Sequence, residues 1–316
     1  MKMRFALLAL LAASPAAAQS YGPAATPTFS VAENGQRFFT LEEAVRAIGD
    51  GRGTIRIAPG TYQECITQDG GEITFEAERP GSVIFDTVTC EGKAAFVLRG
   101  RSAVVSGIVF QNMQVPDRNG SGIRLEQGNL LVRESLFRNS ESGILSTNDW
   151  RGTLRVERST FSRIGTCPDG GDCAHSMYIG GDGLLQVSQV RFERGTGGHY
   201  LKARVSRIDV TDCSFDDSQG HSTNYMIDLP NGATGLIARN EFVQGRDKEN
   251  YSAFIALAGE GDDHDLSGLV IADNSASLVP GLSRRTVFVA DWRGAPVQIQ
   301  NNRLDPQIAR YERRRR

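Results

Sequence analysis

Residues 135–161 read SLFRNSESGILSTNDWRGTLRVERSTF and contain one complete period of a repeat. The triplet Ser135-Leu136-Phe137 returns 24 residues later as Ser159-Thr160-Phe161, and a short apolar segment lies between the two. Glycine, asparagine, aspartate and serine separate these segments, as they commonly do between short β-strands. The stretch therefore predicts short strands joined by tight turns, not helices.

Eight such triplets follow one another along the chain. Their third positions are Phe110, Phe137, Phe161, Phe192, Phe215, Phe242, Ala276 and Leu304. These positions are 27, 24, 31, 23, 27, 34 and 28 residues apart, and a period of this size with variable loops indicates a solenoid. Ser or Asn opens five of the eight triplets, which favours small polar side chains that hydrogen-bond from coil to coil. Cys213 opens another, and we interpret it as a buried small thiol.

A second strand-like segment follows each triplet. Leucine-rich repeats would need a leucine and asparagine consensus, and propeller blades would need about forty residues each. Three short strands per coil instead fit an all-β fold, a single-stranded parallel β-helix of about eight or more coils. Thr40 and Glu43 form a capping box for a helix over 41–48, which we expect to cap the N-terminal edge. The inward apolar residues of the second segments align as Ile123, Ile144, Met177, Leu201, Ile227 and Ile255.

The first coil also resembles a known superfamily. Directly after the predicted helix, residues 53–64 read GTIRIAPGTYQE, which resembles the beginning of pectin-lyase-like right-handed β-helix proteins. The resemblance covers about residues 35–305 and implies a right-handed solenoid. It implies no single reaction, because the superfamily includes polysaccharide lyases, hydrolases, methylesterases, C5-epimerases and phage adhesins. Residues 175–180, 198–204 and 228–232 resemble motifs of exported bacterial β-helix repeat proteins, which supports one site built from these three coils.

The chain has 316 residues and a formal net charge of −2, so we expect no attraction to nucleic acid. It begins with positive residues, an apolar run and Ala16-Ala17-Ala18, the pattern of a secretory signal peptide. We therefore predict an exported monomer, periplasmic or secreted, without membrane insertion. The expected segments are a signal peptide over 1–18, a flexible leader over 19–34, the parallel β-helix domain over 35–305 and a basic C-terminal tail over 306–316.

Five cysteines in an exported chain predict disulfides with one thiol left over. Cys167 and Cys173 enclose five residues and are the favoured local pair. A bridge between Cys65 and Cys90 is compatible with the sequence, which does not determine it. A zinc site formed by Cys167, Cys173 and His175 is the competing interpretation.

The sequence requires no cofactor, and we assign no metal-ligating residue. The acidic loops at 169–172 and 262–265 could bind Ca²⁺, although neither has the spacing of an EF-hand or a β-roll.

Side chains able to carry chemistry concentrate on the middle coils. Because side chains alternate along a strand, the residue after each inward apolar residue should point outward. Tyr178, Lys202 and Asp228 occupy this outward column on three successive coils, 24 and 26 residues apart. Strict alternation places His175 and His199 at the inward parity, so each is either a wall residue or part of the site.

We predict one site built from these coils. Arg204 lies two residues past Lys202 on the same face, and His221 lies in the loop before the Asp228 strand. The residues expected to be catalytic are Lys202, Tyr178, His199 and His175. The residues expected to bind substrate are Arg204, Asp228, His221, Tyr200, Tyr225 and Asn231.

Lys202 favours an enzyme over a plain ion pair. Lysine supplies only four of the 35 basic residues, and arginine would serve a plain ion pair equally well. A lysine can lose its proton and act as a base, whereas Asp228 beside it would favour the charged ammonium. Two assignments remain open. In the first, Lys202 or Tyr178 is the base. In the second, Lys202 stays charged and holds the substrate carboxylate, and Tyr178 is the base.

The favoured function is a polysaccharide lyase that cleaves an acidic, uronate-containing glycan by β-elimination. This reaction needs a cation at the carboxylate, a base for the C5 proton and an acid for the leaving oxygen. A uronate C5-epimerase would use the same groups, whereas a glycoside hydrolase needs two carboxylates, and Asp228 has no evident second partner. A non-catalytic carbohydrate-binding cell-envelope solenoid, with Tyr178, Tyr200 and Tyr225 along its face, is the remaining alternative.

Overall fold

Over residues 26–168 and 172–315 the protein, described by a computed structural model, is a parallel β-solenoid of about nine turns with one short helix. The described residues form three long sheets of 12, 10 and 10 strands. The prediction of an all-β parallel β-helix with three strands per coil is confirmed. The predicted signal peptide over 1–18 and the leader residues 19–25 lie outside the described residues.

We call the sheets A, B and C in the order in which each coil visits them. Neighbouring strands of a sheet are one coil apart and pair in parallel, except at the N-terminal edge of sheet A. Sheet A consists of Arg37–Phe38, Phe29–Val31, Arg52–Ile57, Glu72–Ala77, Ser102–Ser106, Asn129–Arg133, Thr153–Glu157, Leu184–Ser188, Arg207–Thr211, Thr234–Ala238, Leu269–Ala272 and Gln298–Gln300. Sheet B consists of Gly60–Tyr62, Val83–Asp86, Ile108–Gln111, Leu136–Ser140, Thr160–Ile164, Arg191–Glu193, Ser214–Asp216, Glu241–Gln244, Ser275–Leu278 and Arg303–Leu304. Sheet C consists of Ile66–Gln68, Ala94–Leu98, Ser121–Leu125, Ser142–Ser146, Met177–Ile179, Leu201–Ala203, Ile227–Leu229, Ala253–Leu257, Thr286–Asp291 and Ile308–Arg313.

The apolar third residue of each triplet organises the core. These residues pair in register across sheet B, from Phe110 with Phe137 to Ala276 with Leu304, and Phe85 continues the column one coil earlier. Successive phenylalanine rings are within 22° of parallel, with centroids 4.7 to 5.9 Å apart. Burying each such side chain contributes roughly 1.5–3 kcal/mol, so the column holds consecutive coils in a common register.

A column of small polar side chains stands beside the phenylalanines. Asn240 Oδ1 accepts a hydrogen bond from the Cys213 N–H at 2.9 Å, and Asn274 Oδ1 accepts one from the Asn240 N–H at 2.9 Å. Ser159 Oγ likewise accepts from the Ser135 N–H at 3.2 Å. The predicted hydrogen bonding from coil to coil is confirmed. Cys213 is buried, and burial raises the pKa of its thiol to about 12, as expected for a structural residue.

A sharp corner with one residue in a left-handed conformation joins sheet A to sheet B on most coils. The φ angle of this residue lies between 44° and 58°, a region that non-glycine residues rarely adopt. The corner lets the triplet begin immediately after the preceding strand. Arg239 and Asp212 also form an ion pair at 2.8 Å between neighbouring corners. The corner residues are Glu134, Arg158, Gln189, Asp212, Arg239, Asp273 and Asn301.

A helix and a short strand cover the N-terminal end. Thr40 Oγ1 accepts from the Glu43 N–H at 3.2 Å, and the Glu43 carboxylate accepts from the Thr40 N–H at 3.3 Å, so the predicted capping box is confirmed. The helix Leu41–Ile48 buries Leu41 and packs on the first coil. The strand Phe29–Val31 pairs with the outermost parallel strand of sheet A and satisfies its edge.

The ends of the solenoid differ from the predicted boundaries. Phe29–Val31 is a strand of sheet A, although it falls in the leader predicted over 19–34. Ile308–Arg313 is the last strand of sheet C, although the sequence predicts a basic tail over 306–316. Both segments pair a sheet edge whose backbone groups would otherwise lack partners, and each buries an apolar side chain. Because the C-terminal segment is rich in charged residues, its composition does not indicate that it forms a strand of sheet C.

Two disulfides are present, Cys65–Cys90 and Cys167–Cys173. The alternative of a zinc site at Cys167 and Cys173 is wrong, because both sulfurs are bonded to each other. Disulfides are typical of proteins outside the cytoplasm. Among the described residues we find no helix of the length and apolarity that crossing a membrane requires.

Candidate functional site

Tyr178, Lys202 and Asp228 form a column on the outer face of sheet C, as predicted. Tyr178 pairs in register with Lys202, and Lys202 pairs with Asp228. Adjacent strands lie about 4.8 Å apart, so the three side chains stand next to one another along the solenoid axis. Leu145 and Ala256 continue the column on either side. The polar group is therefore confined to three coils.

His175, His199 and Tyr225 form a second row on the same face, and the inward parity predicted for the two histidines is wrong. Alternation breaks where each strand begins: Tyr200 and Leu201 are consecutive, yet both belong to the buried core. His199, one residue earlier, therefore lies on the outer side. Its N–H donates to His175 Nδ1 at 3.0 Å, and its ring stacks on Tyr225 with centroids 5.5 Å apart.

Lys202 lies between two carboxylates. Its Nζ is 3.4 Å from Asp228 Oδ2 and 2.5 Å from Glu260 Oε1. Glu260 also binds the guanidinium of Arg204, and Arg204 Nε donates to the Tyr178 hydroxyl oxygen at 2.9 Å. We call Lys202 and Arg204 the carboxylate clamp, because their two cations converge on one carboxylate.

The rim of the site comes from loops that follow the strands of sheet C. Asn231, a predicted substrate-binding residue, accepts a hydrogen bond from Arg204 and donates one to Asp263. His264 Nε2 lies 2.9 Å from the Arg204 carbonyl oxygen. Glu260 and His264 are not among the predicted site residues. The signal that could have found them is the acidic run of this loop, which directly follows a strand of sheet C.

The charges of the site are set mainly by burial. Burial raises the pKa of Asp228 to about 6, although Lys202 opposes the shift. Burial, reinforced by Lys202, lowers the pKa of His175 to about 3, and burial followed by the effect of His175 holds the pKa of His199 well below its ordinary value. Both imidazoles are therefore neutral at neutral pH. Burial raises the pKa of Glu260, but hydrogen bonds from the clamp outweigh it and the net pKa is lowered.

The contacts also define the proton positions on the two imidazoles. Because His175 Nδ1 accepts a hydrogen bond, the neutral ring carries its proton on Nε2. His199 Nε2 lies 3.4 Å from Asp228 Oδ2, while the buried Nδ1 has no hydrogen-bond partner among the residues described. Buried polar atoms are rarely left in this state. The site is therefore incompletely paired.

Two predicted substrate-binding residues do not reach this site. Tyr200 points into the core, because it belongs to the inward pair at the strand start, and its hydroxyl donates to Asp217 at 2.8 Å. His221 is exposed and forms a hydrogen bond with Asp247. Tyr225 and Asn231, in contrast, lie where substrate binding was predicted. The face therefore offers fewer aromatic rings than the sequence suggests.

Metal binding finds no support in the geometry. Within residues 26–168 and 172–315, no group of three or more His, Cys, Asp or Glu side chains is arranged to hold a metal ion. In the acidic loop at 262–265, Asp263 accepts from Asn231 and Asp265 accepts from Ser267. Residues 169–171 of the other acidic loop lie outside the described residues. Calcium binding stays a prediction.

Comparison with known proteins finds distant structural neighbours but no family. The sequence matches no family model and no curated protein. Among solved structures, the chain is similar to ORF18 of Geobacillus virus E2, with 13% identity over 82% of this chain and a TM-score of 0.45, and it spans 56% of the length of that viral protein. The surface protein and adhesin PfbA of Streptococcus pneumoniae shows 10% identity over 85% of this chain and 94% of its own, with a TM-score of 0.45. The alginate lyase AlyF shows 12% identity over 86% of each chain, with a TM-score of 0.31. At these identities and TM-scores, the comparisons assign no reaction to this chain.

Proposed function

We propose that this protein is an exported polysaccharide lyase that cleaves a uronate-containing glycan by β-elimination on the outer face of sheet C. The observation that carries the proposal is the carboxylate clamp. Lys202 and Arg204 already hold the carboxylate of Glu260, so they have the charge and spacing to hold the carboxylate of a uronate that displaces it. Neutralising that carboxylate is what makes the C5 proton of a uronate removable.

Tyr178 is the proton-transfer group in this proposal. Its hydroxyl oxygen accepts a hydrogen bond from Arg204 at 2.9 Å, which stabilises negative charge on that oxygen, and its side chain is partly exposed on the site face. The phenolate takes the C5 proton, the C–H electron pair forms the C4–C5 double bond, and the C4–O bond breaks. The departing oxygen takes up a proton from the Tyr178 hydroxyl, which restores the phenolate.

Asp228 and His199 act as positioning residues. Both are almost completely buried, so they reach the reacting sugar less readily than Tyr178. Asp228 contacts Lys202 on one side and His199 on the other, each at 3.4 Å. They therefore hold the lysine end of the clamp in position, with its ammonium group 2.5 Å from Glu260 Oε1.

A glycoside hydrolase is the second candidate, and Glu260 favours it. The sequence offers no second carboxylate beside Asp228, but Glu260 and Asp228 both contact the same ammonium group. A pKa raised to about 6 is suited to a general acid at Asp228. Paired carboxylates flanking one bond are the usual equipment of glycoside hydrolysis.

One assay separates the candidates. Wild type, Tyr178→Phe and Lys202→Met are incubated with polygalacturonate, alginate and glucuronan, and the ultraviolet absorbance of the unsaturated uronate is followed. Tyr251→Phe and Lys93→Met are matched controls, because Tyr251 is exposed and the ion pairs of Lys93 are with Glu91 and Glu126, which are not residues of the site. A rise that both site variants lose and both controls keep supports the lyase.

Other outcomes overturn it. Shorter chains without new absorbance, lost in Asp228→Asn, would establish the hydrolase. Deuterium uptake at C5 without a change in chain length would establish the epimerase. Binding without any of these changes would leave a carbohydrate-binding solenoid.

A further inference from the structure

We propose that the last coils carry a second binding site, an arginine-lined cleft that holds carboxylates of an acidic glycan strand beyond the clamp. The cleft has a volume of about 650 Å³. It deepens the proposed function, because the same strand would run from the clamp to this cleft. Its lining residues are Asp262, Trp292, Arg293, Arg313, Arg314 and Arg315.

The turn that carries Trp292 and Arg293 is rigidly built. Asp291 is fully buried, and its Oδ1 accepts from the N–H groups of Arg293 and Gly294 at 2.8 and 3.0 Å. Its Oδ2 accepts from the Tyr311 hydroxyl at 3.0 Å, which ties the turn to the last strand. One buried carboxylate thus fixes both walls of the cleft before any ligand arrives, and preorganisation of this kind favours binding.

Arg314 holds the indole of Trp292 in place. Its guanidinium lies 4.9 Å from the ring centroid, and its two terminal nitrogens donate to Ser252 Oγ and Ser252 O, each at 3.0 Å. Glu312 pairs with the same guanidinium at 3.2 Å. Arg314 is therefore committed to the protein, and the ligand-binding charges must come from its neighbours.

Arg293 and Arg313 supply those charges. Arg293 is exposed and donates to the His264 carbonyl oxygen at 2.7 Å, an uncharged partner. Within the described part of the chain, we find no carboxylate oxygen within 4.0 Å of Arg293 or Arg313, although Arg293 adds to the effect of Ser267 in lowering the pKa of nearby Asp265. Four arginines face one aspartate in the cleft, and guanidinium groups bind carboxylates in a bidentate manner.

A continuous row of rings connects the cleft to the candidate active site. The Trp292 and Tyr225 centroids are 6.5 Å apart, and the Tyr225 and His199 centroids are 5.5 Å apart. The floor under this row is a small apolar cluster, separate from the main core, that includes Ala253 and Ala290. Tyr225 and Trp292 pack on this cluster, and aromatic rings suit the apolar faces of sugars. A glycan strand lying along the axis would meet the clamp first and the arginines next.

A carboxylated glycan fits this cleft better than a nucleic acid. The chain has a formal net charge of −2, and nucleic-acid binding depends on an extended basic surface that contacts many phosphates. Two available guanidinium groups beside an aromatic row suit a polymer with one carboxylate per sugar.

The test is a binding titration in the Tyr178→Phe background, which prevents cleavage during the measurement. Hexagalacturonate and hexaguluronate are the probes, maltohexaose is the neutral control, and affinity is followed by calorimetry and by the emission of Trp292. Arg293→Ala with Arg313→Ala is compared with Arg303→Ala and Arg310→Ala, two exposed arginines outside the cleft, so that both double variants lose the same charge.

We expect at least one acidic hexamer to bind. The Arg293→Ala, Arg313→Ala variant should weaken this binding about tenfold or more, which corresponds to the loss of one or more charged contacts. The control double variant should weaken it less than twofold. Equal affinity of the two double variants, equal binding of maltohexaose, or no binding of either acidic hexamer would overturn the proposal. The outcome is independent of the reaction. If binding depends on the two arginines but wild type does not cleave the glycan, the cleft stands as a binding site and the lyase is refuted. If wild type cleaves the glycan but binding does not depend on the arginines, the lyase stands and the cleft is refuted as a binding site.

Discussion

Two lysine–aspartate pairs lie on neighbouring parts of this solenoid, and only one of them is complete. Lys248 and Asp217 are fully buried, with Nζ and Oδ2 3.1 Å apart. Asp217 also accepts from the Tyr200 hydroxyl at 2.8 Å, the Thr223 hydroxyl at 2.7 Å and the Gly245 N–H at 3.0 Å. Every oxygen of this carboxylate has two donors. Such a pair stabilises the fold and offers nothing to a ligand.

The Lys202–Asp228 pair is built differently. Asp228 has one ionic contact, with Lys202, and one contact with the neutral imidazole of His199, each at 3.4 Å, and burial raises its pKa to about 6. His199 keeps an unpartnered buried nitrogen, and Lys202 points to an exposed glutamate of a loop. Incomplete pairing of buried charge is unfavourable for stability and is typical of functional sites. This difference indicates that the Lys202–Asp228 pair, and not the Lys248–Asp217 pair, is the one to test for chemistry.

The largest expected effects come from replacing each lysine in turn. Lys202→Met should lower kcat/KM about 10³-fold, because a preorganised cation at the developing charge is lost, while the fold remains. Lys248→Met should lower the free energy of unfolding by about 3–5 kcal/mol, because Asp217 is left as an uncompensated buried charge. Urea unfolding and progress curves of both variants check this pair of outcomes. An inactive but fully stable Lys248→Met would reverse the comparison.

Asp228→Asn should change how stability depends on pH. In the folded chain the Asp228 pKa is raised to about 6 from an ordinary value of 3.8, so folding takes up a proton between these values and wild-type stability falls as pH rises through them. Asparagine cannot ionise. The variant should therefore match wild type well below pH 4 and exceed it by about 3 kcal/mol at pH 7, given about 1.4 kcal/mol for each pKa unit. Unfolding midpoints at four pH values measure this, and a constant difference across the range would contradict it.

Glu260→Gln should tighten binding of acidic oligomers. Glu260 occupies the clamp as an internal carboxylate, and a neutral amide would compete less for Lys202 and Arg204. We expect the affinity for hexagalacturonate to rise about three- to tenfold, since one charge-assisted contact no longer has to be displaced. Glu249→Gln, an exposed glutamate bonded to Asn224, is the control. A loss of affinity in Glu260→Gln alone would show that this residue orients the clamp.

The smallest effect is expected for His221→Ala. The side chain is exposed and its partner is Asp247, so the substitution should change kcat/KM less than twofold and stability by less than about 1 kcal/mol. The paired measurement is His264→Ala, whose ring contacts the Arg204 carbonyl oxygen and should matter more. Equal effects of the two substitutions would mean that the site extends further than the clamp.

The sequence predicts this solenoid well because each coil repeats the same contacts. Phe137 and Phe161 align in register for the same reason that they align in the sequence: one inward position per coil must be filled. The outward column of Tyr178, Lys202 and Asp228 follows from the same periodicity. This periodicity can be recognised from the repeated segments alone, without knowing the paths of the loops between them.

What the sequence misses lies where periodicity ends. Alternation predicts that His199 faces the core, but two consecutive residues turn inward at the strand start and place His199 on the outer side of sheet C, where it is still buried. The same step buries Tyr200, which was expected to bind substrate. Glu260 reaches Lys202 across 58 residues, from a loop whose path no repeat determines. Sites assembled from strand starts and loops therefore need the three-dimensional structure.

The corner residues between sheets A and B give this protein a route to greater thermal robustness that leaves the carboxylate clamp untouched. Each left-handed non-glycine residue there stores roughly 1–2 kcal/mol of conformational strain, and Asn301 shows that the corner accepts a residue type better suited to that conformation. Asparagine introduced at Gln189 or Arg158 would release part of this strain. Because the corner residues adjoin sheets A and B while the clamp lies on sheet C, an engineer could tune the durability of the scaffold and the activity of the face as separate variables.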